Sequence, residues 1–277
     1  MTARSHLSAG FLALFFVLLV IAVVGGFGFK TWLPPVASEH GAVVDKVIRY
    51  TLLTTGLVFV VGHLILAFFI VKYSRDERGT AKRLSPGVEA RWALSVAFGM
   101  SIIAEVGVLV IGMPAWAAVY GEPSPDDVVV EVVAQQFGWF IRYPGKDGKF
   151  GACRPELIRR GDNPLGLDKK DPASADDIIV EDELRLPVNK PARIVLRSLD
   201  VLHSFSVPEM RVKQDIIPGY TGRTRFVPNR EGTYEIACAE LCGLGHYKMR
   251  GLLQVMAPQD LQRWLSEQVP AITYIVD

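Results

Sequence analysis

The chain has 277 residues, enough for one membrane module and one globular domain. Half of the residues are hydrophobic, and 30 Lys and Arg nearly balance 29 Asp and Glu, so the net charge of +1 gives no indication of nucleic-acid binding. Three cysteines are too few for a disulfide scaffold. The sequence contains no Cys-x-x-Cys-His, so a covalently attached c-type haem is not expected in this chain.

Three long apolar runs lie in the first part of the chain, at 7–29, 51–71 and 92–119. The run at 7–29 is about as long as one bilayer crossing, which favours a transmembrane helix over the shorter apolar region of a signal peptide. We therefore expect residues 1–30 to form an extra transmembrane helix or a signal segment. Residues 48–120 are expected to form a transmembrane helical hairpin, so the chain has two or three membrane helices.

The most basic loop of the membrane half, 72–91, separates the second and third apolar runs. Basic loops stay on the cytoplasmic side of a membrane, which places everything after Tyr120 on the opposite side. The expected location is a bacterial inner (cell) membrane crossed several times, with the C-terminal domain on the periplasmic face. Glu105 lies within the third run, where a carboxylate is costly and is usually paired or neutral.

From Asp127 onward, short runs rich in Val, Ile, Tyr and Phe are separated by Pro and Gly, which predicts β-strands. The candidate strands are 128–134, 178–184, 192–197, 204–207, 221–227, 232–237 and 252–256. Seven or so short strands indicate a β-sandwich or a Greek-key barrel, closed by a helix at 259–268. A charged insertion at about 144–176, rich in Pro and Gly, is long enough to be functional or partly disordered. It contains Cys153, to which we assign no role.

Two thiols, an imidazole and a thioether lie within one segment, Cys-Ala-Glu-Leu-Cys-Gly-Leu-Gly-His-Tyr-Lys-Met at 238–249, and a second imidazole, His203, lies upstream. Cysteine, histidine and methionine together are typical ligands of a soft, redox-active metal such as copper, whereas zinc has no use for the methionine. The spacing is too tight for four independent ligands of one tetrahedral ion. It suits two sulfurs that bridge two ions, each ion capped by one histidine.

Each of these residues also has an ordinary structural interpretation. Cys238 and Cys242 could form a disulfide, which an extracytoplasmic domain permits. Met249 alone would be a core residue, and Glu240 alone would be a solvated carboxylate. Because the disulfide leaves His203 and the other two candidate ligands unexplained, metal binding is the preferred interpretation.

The Cys-x-Glu-x-Cys-x-x-x-His-x-x-Met segment, with Asp-Val-Leu-His-Ser at 200–204, resembles the binuclear copper (CuA) site of cytochrome c oxidase subunit II. The resemblance extends from about residue 51 to the C-terminus. It implies a membrane-anchored all-β protein, in which N-terminal transmembrane helices precede a cupredoxin-like Greek-key β-barrel at 121–277. The implied copper ligands are His203, Cys238, Cys242, His246, Met249 and the main-chain carbonyl of Glu240. The Glu240 carboxylate would also reach a magnesium ion shared with the catalytic subunit.

The family resemblance implies further roles outside the ligand loop. Glu89 begins a Glu-x-x-Trp sequence that in the family lies near the mouth of a proton pathway; an ordinary interfacial carboxylate is the alternative. In the family a Gln-Trp-x-Trp segment receives electrons from the donor. Aligned on Gln136, its two aromatic positions are Phe137 and Trp139. Asp200, close in sequence to the upstream histidine, is a candidate for docking the electron donor.

The function implied by the resemblance is that of the electron-accepting subunit of a respiratory cytochrome c oxidase. Electrons from cytochrome c or a similar small carrier would reach the CuA centre and pass to haem in the catalytic subunit I. Oxygen would be reduced to water there, coupled to proton translocation, so this chain would carry electrons and perform no oxygen chemistry. Other oxidase subunits, such as subunit III, are expected partners.

Three other functions share part of the same pattern. A membrane-tethered copper chaperone or thiol oxidoreductase of the Sco type also has Cys-x-x-x-Cys, but followed by Pro and in a thioredoxin fold, whereas Gly243 follows here. A quinol oxidase subunit II shares the fold and lacks the copper ligands. A structural zinc domain would be colourless, whereas mixed-valence copper is purple.

Overall fold

A computed structural model of the chain describes residues 3–28, 32–74, 85–122 and 124–276. The chain divides into two compact units. One unit comprises Met1–Trp32 and Asp45–Met113, and the other comprises Leu33–Val44 and Pro114–Asp277. Most of the basic loop on which the predicted membrane orientation rests, residues 75–84, lies outside the described residues.

Three long helices form in the N-terminal half: α1 (Ala3–Gly28), α2 (Gly41–Ser74) and α3 (Pro86–Tyr120). Leu7–Gly28, all of α2 and Gly87–Tyr120 are long and apolar enough to cross a membrane. The expectation of two or three membrane helices is therefore met by three helices in the described chain. Helices α2 and α3 extend beyond the apolar runs that predict them, because helical hydrogen bonding continues into the polar flanks.

Helices α2 and α3 approach each other through a tyrosine and a glycine. The Tyr50 hydroxyl donates a 2.5 Å hydrogen bond to the main-chain oxygen of Ile103. A Cβ at Gly107 would lie 2.1 Å from the Tyr50 ring, so only glycine permits this approach. Glu89 lies exposed in the first turn of α3, and Glu105 lies on an exposed face of the same helix. The proton-pathway role of Glu89 stays a prediction.

The described residues of the second unit form ten strands. They are β1 (Val128–Gln135), β2 (Gly138–Tyr143), β3 (Ile178–Glu181), β4 (Glu183–Pro187), β5 (Ala192–Ser198), β6 (His203–Val207), β7 (Val212–Ile216), β8 (Gly222–Phe226), β9 (Gly232–Cys238) and β10 (Arg250–Met256). The first sheet has the order β3-β2-β1-β5-β8 and the second has the order β4-β10-β9-β6-β7. Helix α4 (Pro258–Glu267) follows the last strand and is the predicted closing helix.

The two sheets bury alternate side chains against each other. In β5, Ala192, Ile194 and Leu196 are buried, while the residues between them are partly exposed. They share one continuous core with apolar residues of the second sheet, such as Phe205 and Leu253. Strand β1 pairs in parallel with β5, and β4 pairs in parallel with β10, so the strands do not follow a simple meander. This two-sheet arrangement is cupredoxin-like and confirms the predicted fold class.

Ten strands are present where the sequence predicts seven or so. The sequence marks β2 only as an aromatic cluster, and β7 reads Val-Lys-Gln-Asp-Ile, with three polar residues in a row. A single strand at 178–184 is wrong, because Asp182 adopts a left-handed φ of 56°. The Asp182 carboxylate accepts a 2.8 Å hydrogen bond from the main-chain N–H of Trp139. Strands β3 and β4 join different sheets on either side of this turn.

The segment Leu33–Val44 belongs to the β unit rather than to the helical unit. The main-chain N–H of Ala37 donates to the Glu209 oxygen at 2.8 Å, and the Ala37 oxygen accepts from Asn229 N–H at 3.0 Å. The buried Ser38 hydroxyl donates to the Met210 oxygen at 2.8 Å. The connection between α1 and α2 is therefore held to the β unit by specific hydrogen bonds, a feature that the sequence analysis does not predict.

The insertion is folded and has a small core of its own. It contains short 3₁₀ helices at Pro155–Leu157 and Pro172–Asp176. Leu167 is buried together with Ala271 and Ile275 near the C-terminus. The charged residues that make this segment look like a loop in the sequence are largely engaged in hydrogen bonds and ion pairs.

A buried ion cluster joins the insertion to the first sheet. Arg142 of β2 is 1% exposed and pairs with Glu131 of β1 at 3.1 Å and with Asp177 at 2.6 Å. It also donates a hydrogen bond to the main-chain oxygen of Gly151. The Cys153 sulfur lies 3.1 Å from an Arg142 nitrogen, and burial raises the pKa of this thiol.

Candidate metal centre

The candidate ligands lie where neighbouring strands of the second sheet begin or end. Strand β6 begins at His203, β9 ends at Cys238, and Cys238 is paired with Phe205 of β6. The loop between β9 and β10 carries the remaining candidates. It is closed by a hydrogen bond of 3.2 Å from the Cys238 N–H to the Met249 oxygen. Three adjacent strands thus bring distant parts of the chain to one edge of the sheet.

The candidate side chains form a continuous series of close contacts. Cys238 Sγ lies 3.9 Å from His203 Nδ1 and 3.8 Å from Cys242 Sγ. Cys242 Sγ lies 3.6 Å from His246 Nδ1 and 3.7 Å from Met249 Sδ. The ligand atoms of His203, Cys238 and Cys242 lie within 4.8 Å of one another. Two sulfurs therefore occupy the centre, with an imidazole nitrogen on each side.

The cluster is enclosed by protein. His203 is fully buried, Cys242 and Met249 are buried, and His246 is half-buried. Both cysteines are free thiols, so the disulfide alternative is not formed in this structure. Burial and the neighbouring Cys238 raise the pKa of Cys242 to about 11. A metal cation would reverse this shift, because it stabilises the deprotonated thiolate.

The chemistry of the donor set tests whether copper fits these residues. The two sulfurs, the two imidazoles and the Met249 thioether converge within contact distance. The main-chain oxygen of Glu240 also lies 3.2 Å from Cys238 Sγ, so a carbonyl ligand is available at the same place. Thiolate, thioether and imidazole are the ligands that copper prefers, and the residues present fit a copper site.

Asp200 contacts the His203 ring at Nε2, the ring nitrogen that does not face Cys238. Its Oδ1 lies 2.8 Å from His203 Nε2, while its Oδ2 accepts a 2.7 Å hydrogen bond from the main-chain N–H of Gln136. Burial works to raise the pKa of Asp200, but these hydrogen bonds outweigh it and the pKa is lowered. With Nε2 turned to Asp200, Nδ1 of His203 faces Cys238. A carboxylate in this position fixes the ring orientation of a metal-binding histidine.

Gln136 and Phe137 lie over the ligand loop. The Gln136 side-chain amide donates a 2.6 Å hydrogen bond to the main-chain oxygen of Cys242. The Phe137 ring packs against the turn at Gly243 and Gly245, and a Cβ at Gly245 would lie 2.5 Å from the ring. Gly243 has a φ of 136°, which side-chain-bearing residues rarely adopt. Backbone conformation and the aromatic ring together require glycine in this turn.

The two aromatic candidates for electron transfer lie in different environments. Phe137 is 43% exposed, whereas Trp139 is 1% exposed. Trp139 packs edge-on against Phe205 inside the core, with ring centroids 6.2 Å apart. Of the two, only Phe137 reaches the surface over the ligand loop.

The Glu240 carboxylate is engaged by a lysine. Lys213 Nζ lies 2.7 Å from Asp215 Oδ1 and 3.0 Å from Glu240 Oε1. Hydrogen bonds to Asp215 and Glu240 raise the pKa of Lys213. The sequence does not predict the contact of Lys213 with Glu240 or that of Gln136 with Cys242. Contacts between residues far apart in the chain leave no local sequence pattern.

Comparison with known proteins supports the motif. The family model for the periplasmic domain of cytochrome c oxidase subunit II matches residues 162–256. An alternative cytochrome c oxidase subunit 2 from Bradyrhizobium diazoefficiens is 37% identical over 93% of this chain and 92% of its own length. Cytochrome c oxidase subunit 2 from Thermostichus vulcanus is 30% identical over 72% of this chain and 56% of its own length.

Among solved structures, the periplasmic domain of subunit II of a Bradyrhizobium japonicum cytochrome oxidase is 27% identical. The match covers 55% of this chain and 99% of the solved domain, with a TM-score of 0.39. The relationship rests on the sequence, because the Bradyrhizobium diazoefficiens relative matches nearly the whole of both chains. The chain belongs to the cytochrome c oxidase subunit II family.

Proposed function

We propose that this chain is the electron-accepting subunit of a respiratory cytochrome c oxidase, with a binuclear copper (CuA) centre in its β unit. The observation that carries the proposal is the pair of free thiols 3.8 Å apart, each with an imidazole nitrogen less than 4 Å away. Two central sulfurs flanked by two nitrogens provide ligands for two ions rather than one. The proposed donor is cytochrome c or a similar small carrier.

The ligands proposed for copper are the side chains of His203, Cys238, Cys242, His246 and Met249, and the main-chain oxygen of Glu240. Copper held by these residues would supply one-electron transfer. The protein itself positions the ligands: Asp200 orients His203, and the strand pairing of β6 with β9 fixes Cys238. Burial excludes water from the sulfurs, which also limits their oxidation.

We propose that electrons enter the chain beside Phe137. The ring is exposed on one side and packs against the Gly243–Gly245 turn on the other, which provides a short path from the surface to the ligand loop. Trp139 is enclosed in the core and is better suited to support this region than to receive electrons. Asp200 adds negative charge near the same surface for docking a basic carrier, although both of its oxygens are engaged within the protein.

The side facing the catalytic subunit I is proposed to include Glu240. Its carboxylate is partly exposed and already lies beside a cation, the Lys213 ammonium. A magnesium ion shared between subunits would require Lys213 to turn away, and Asp215 offers that ammonium a second partner. Glu89 is kept as the proton-pathway candidate in the helical unit, which we place in a bacterial inner membrane beside subunit I and other subunits such as subunit III.

The Sco-type alternative is not favoured by any contact in the site. That class requires a thioredoxin fold, whereas the described β unit consists of two five-stranded sheets with no thioredoxin-like arrangement of helices. Both imidazoles lie beside the thiols, and the thioether of Met249 completes a ligand set that thiol exchange does not need.

The test is metal analysis and absorption spectroscopy of the oxidase complex purified with this chain. We expect two copper ions attributable to this chain and a purple, mixed-valence spectrum. Cys238→Ser and Cys242→Ser should each abolish the spectrum, while Cys153→Ser, a matched substitution of the remaining thiol, should leave it unchanged. A chain that folds normally and contains no copper, or one copper insensitive to loss of either thiol, would overturn the proposal.

A further inference from the structure

We propose that Gln136 is a positioning residue that ties the Cys242 side of the ligand loop to the Asp200–His203 pair. This inference rests on the proposed copper function, since it concerns the geometry of the same ligands. Gln136 follows the last residue of β1, in the first sheet, whereas the ligands lie on the second sheet. It therefore acts as a link between the two sheets at the proposed metal site.

Two hydrogen bonds from this one residue form the link. Its main-chain N–H donates to Asp200 Oδ2 at 2.7 Å, and its side-chain amide donates to the Cys242 oxygen at 2.6 Å. Asp200 in turn contacts His203 Nε2 at 2.8 Å. The continuous series Cys242–Gln136–Asp200–His203 thus connects one sulfur ligand to the imidazole on the far side of the cluster.

The loop depends on this link because Cys242 is otherwise weakly anchored. Cys238 ends a strand and Met249 precedes one, so both are held by sheet pairing. Main-chain hydrogen bonds join Ala239 to Ser204 of β6 and, within the loop, His246 to Gly243. Within the described chain, no hydrogen bond between two main-chain groups outside the helices and strands involves Cys242. The Gln136 amide therefore restrains the backbone of a ligand that secondary structure leaves free.

Packing makes the link specific for glutamine. A Cβ at Gly243 would lie 2.9 Å from Gln136 Nε2, so the amide sits tightly in the turn. Asparagine is one methylene shorter and cannot span the same distance from this backbone position. Glutamate has the same shape but presents an acceptor to the Cys242 oxygen, and methionine fills similar space without a donor.

The experiment measures the thiol of Cys242 directly, in the metal-free full-length chain carrying Cys153→Ser. Alkylation of Cys242 by iodoacetamide is followed by peptide mass spectrometry. Loss of one hydrogen bond should raise the alkylation rate about fivefold in Gln136→Met, and more in Gln136→Glu, where two acceptors face each other. Gln135→Glu, a substitution of the preceding residue at the end of β1, serves as the matched control and should react at the parental rate.

A second measurement uses the copper-loaded oxidase complex. Gln136→Met and Gln136→Glu should shift the copper-thiolate absorption bands and the reduction potential, whereas Gln135→Glu should not. If both Gln136 variants show parental alkylation rates and unchanged spectra, the positioning role is overturned. A change confined to the affinity for the electron carrier would also overturn it, since that result assigns Gln136 to docking. Failure of the parental complex to bind copper would instead overturn the proposed function.

Discussion

The β unit contains two buried polar clusters of contrasting character. In the ion cluster, Arg142 pairs with Glu131 and Asp177 at 3.1 and 2.6 Å, so opposite charges face each other at hydrogen-bond distance. In the ligand cluster, the sulfurs and imidazole nitrogens approach at 3.6–3.9 Å and carry no opposite charges. The first cluster pairs its charges within the protein, and the second gathers atoms that could bind a metal cation.

The difference has a simple physical basis. A buried charge is tolerated when it is paired and hydrogen-bonded, so the ion cluster stabilises the joint between insertion and sheet only as a whole. Burying neutral thiols and imidazoles costs little free energy, so the fold tolerates these side chains without a bound cation. We therefore expect substitutions in the ion cluster to change stability without changing metal binding, and substitutions in the ligand cluster to do the reverse.

The largest expected effect is from Arg142→Met. It leaves the carboxylates of Glu131 and Asp177 buried without their central partner, which should cost about 3–5 kcal/mol in the free energy of unfolding. The measurement is urea unfolding of the detergent-solubilised chain, followed by near-ultraviolet circular dichroism. Arg154→Met removes an ion pair between a largely exposed guanidinium and the buried Asp168 in the same insertion, and should cost less, about 1 kcal/mol. Equal losses of unfolding free energy in the two variants would show that burial of the Arg142 cluster adds nothing to its contribution to stability.

The second effect concerns metal addition. Copper at about 100 times its dissociation constant should raise the free energy of unfolding by about 2.7 kcal/mol, because only the folded chain assembles the ligand cluster. Cys238→Ser should abolish this gain while leaving the metal-free chain close to its parental stability. Calorimetry with and without copper measures both quantities. A gain that persists in Cys238→Ser would place the bound copper elsewhere.

A third comparison separates backbone strain from steric overlap in two glycines with positive φ. Gly166 of the insertion has a φ of 68°, and a Cβ there would lie 2.2 Å from the Arg154 main-chain oxygen. Gly219 has a φ of 76° and open space around it. Gly219→Ala should cost about 1 kcal/mol for conformation alone, and Gly166→Ala about 2 kcal/mol or more because the backbone must also move. If thermal unfolding shows similar losses of stability in Gly166→Ala and Gly219→Ala, the steric overlap at Gly166 is contradicted.

The smallest expected effect is a pH dependence in the insertion. Hydrogen bonds from the N–H groups of Ala152 and Ala173 lower the pKa of the exposed Asp171 carboxyl. Its contribution to folding is therefore present above the ordinary aspartate pKa and is lost as the pH falls through the lowered value. Hydrogen exchange of the insertion in Asp171→Asn, compared with the parent at each pH, should show faster exchange near neutrality. The difference should vanish in strong acid; one that persists there would exclude the carboxylate as its source.

Much of the ligand cluster could be predicted because its signal is local. The residues from Cys238 to Met249 carry their spacing in the sequence, and the strand patterns around them follow simple alternation. The polar strand β7 and the break at Asp182 could not be predicted, since hydrogen bonds to distant residues decide both. The same limitation applies to the aromatic pair: one residue separates Phe137 from Trp139, but only the packing of β2 places one outside and the other inside.

By itself, the sequence determined the ligand types, their spacing and the apolar lengths of the three membrane helices. These properties depend on side-chain chemistry and on periodicity within a short stretch of chain. Only the tertiary structure decided that Gln136 links Asp200 to Cys242 of the ligand loop, that Lys213 engages Glu240, and that the insertion closes over Arg142. Each of those contacts joins residues far apart in sequence, which become neighbours only when strands pair and the chain folds.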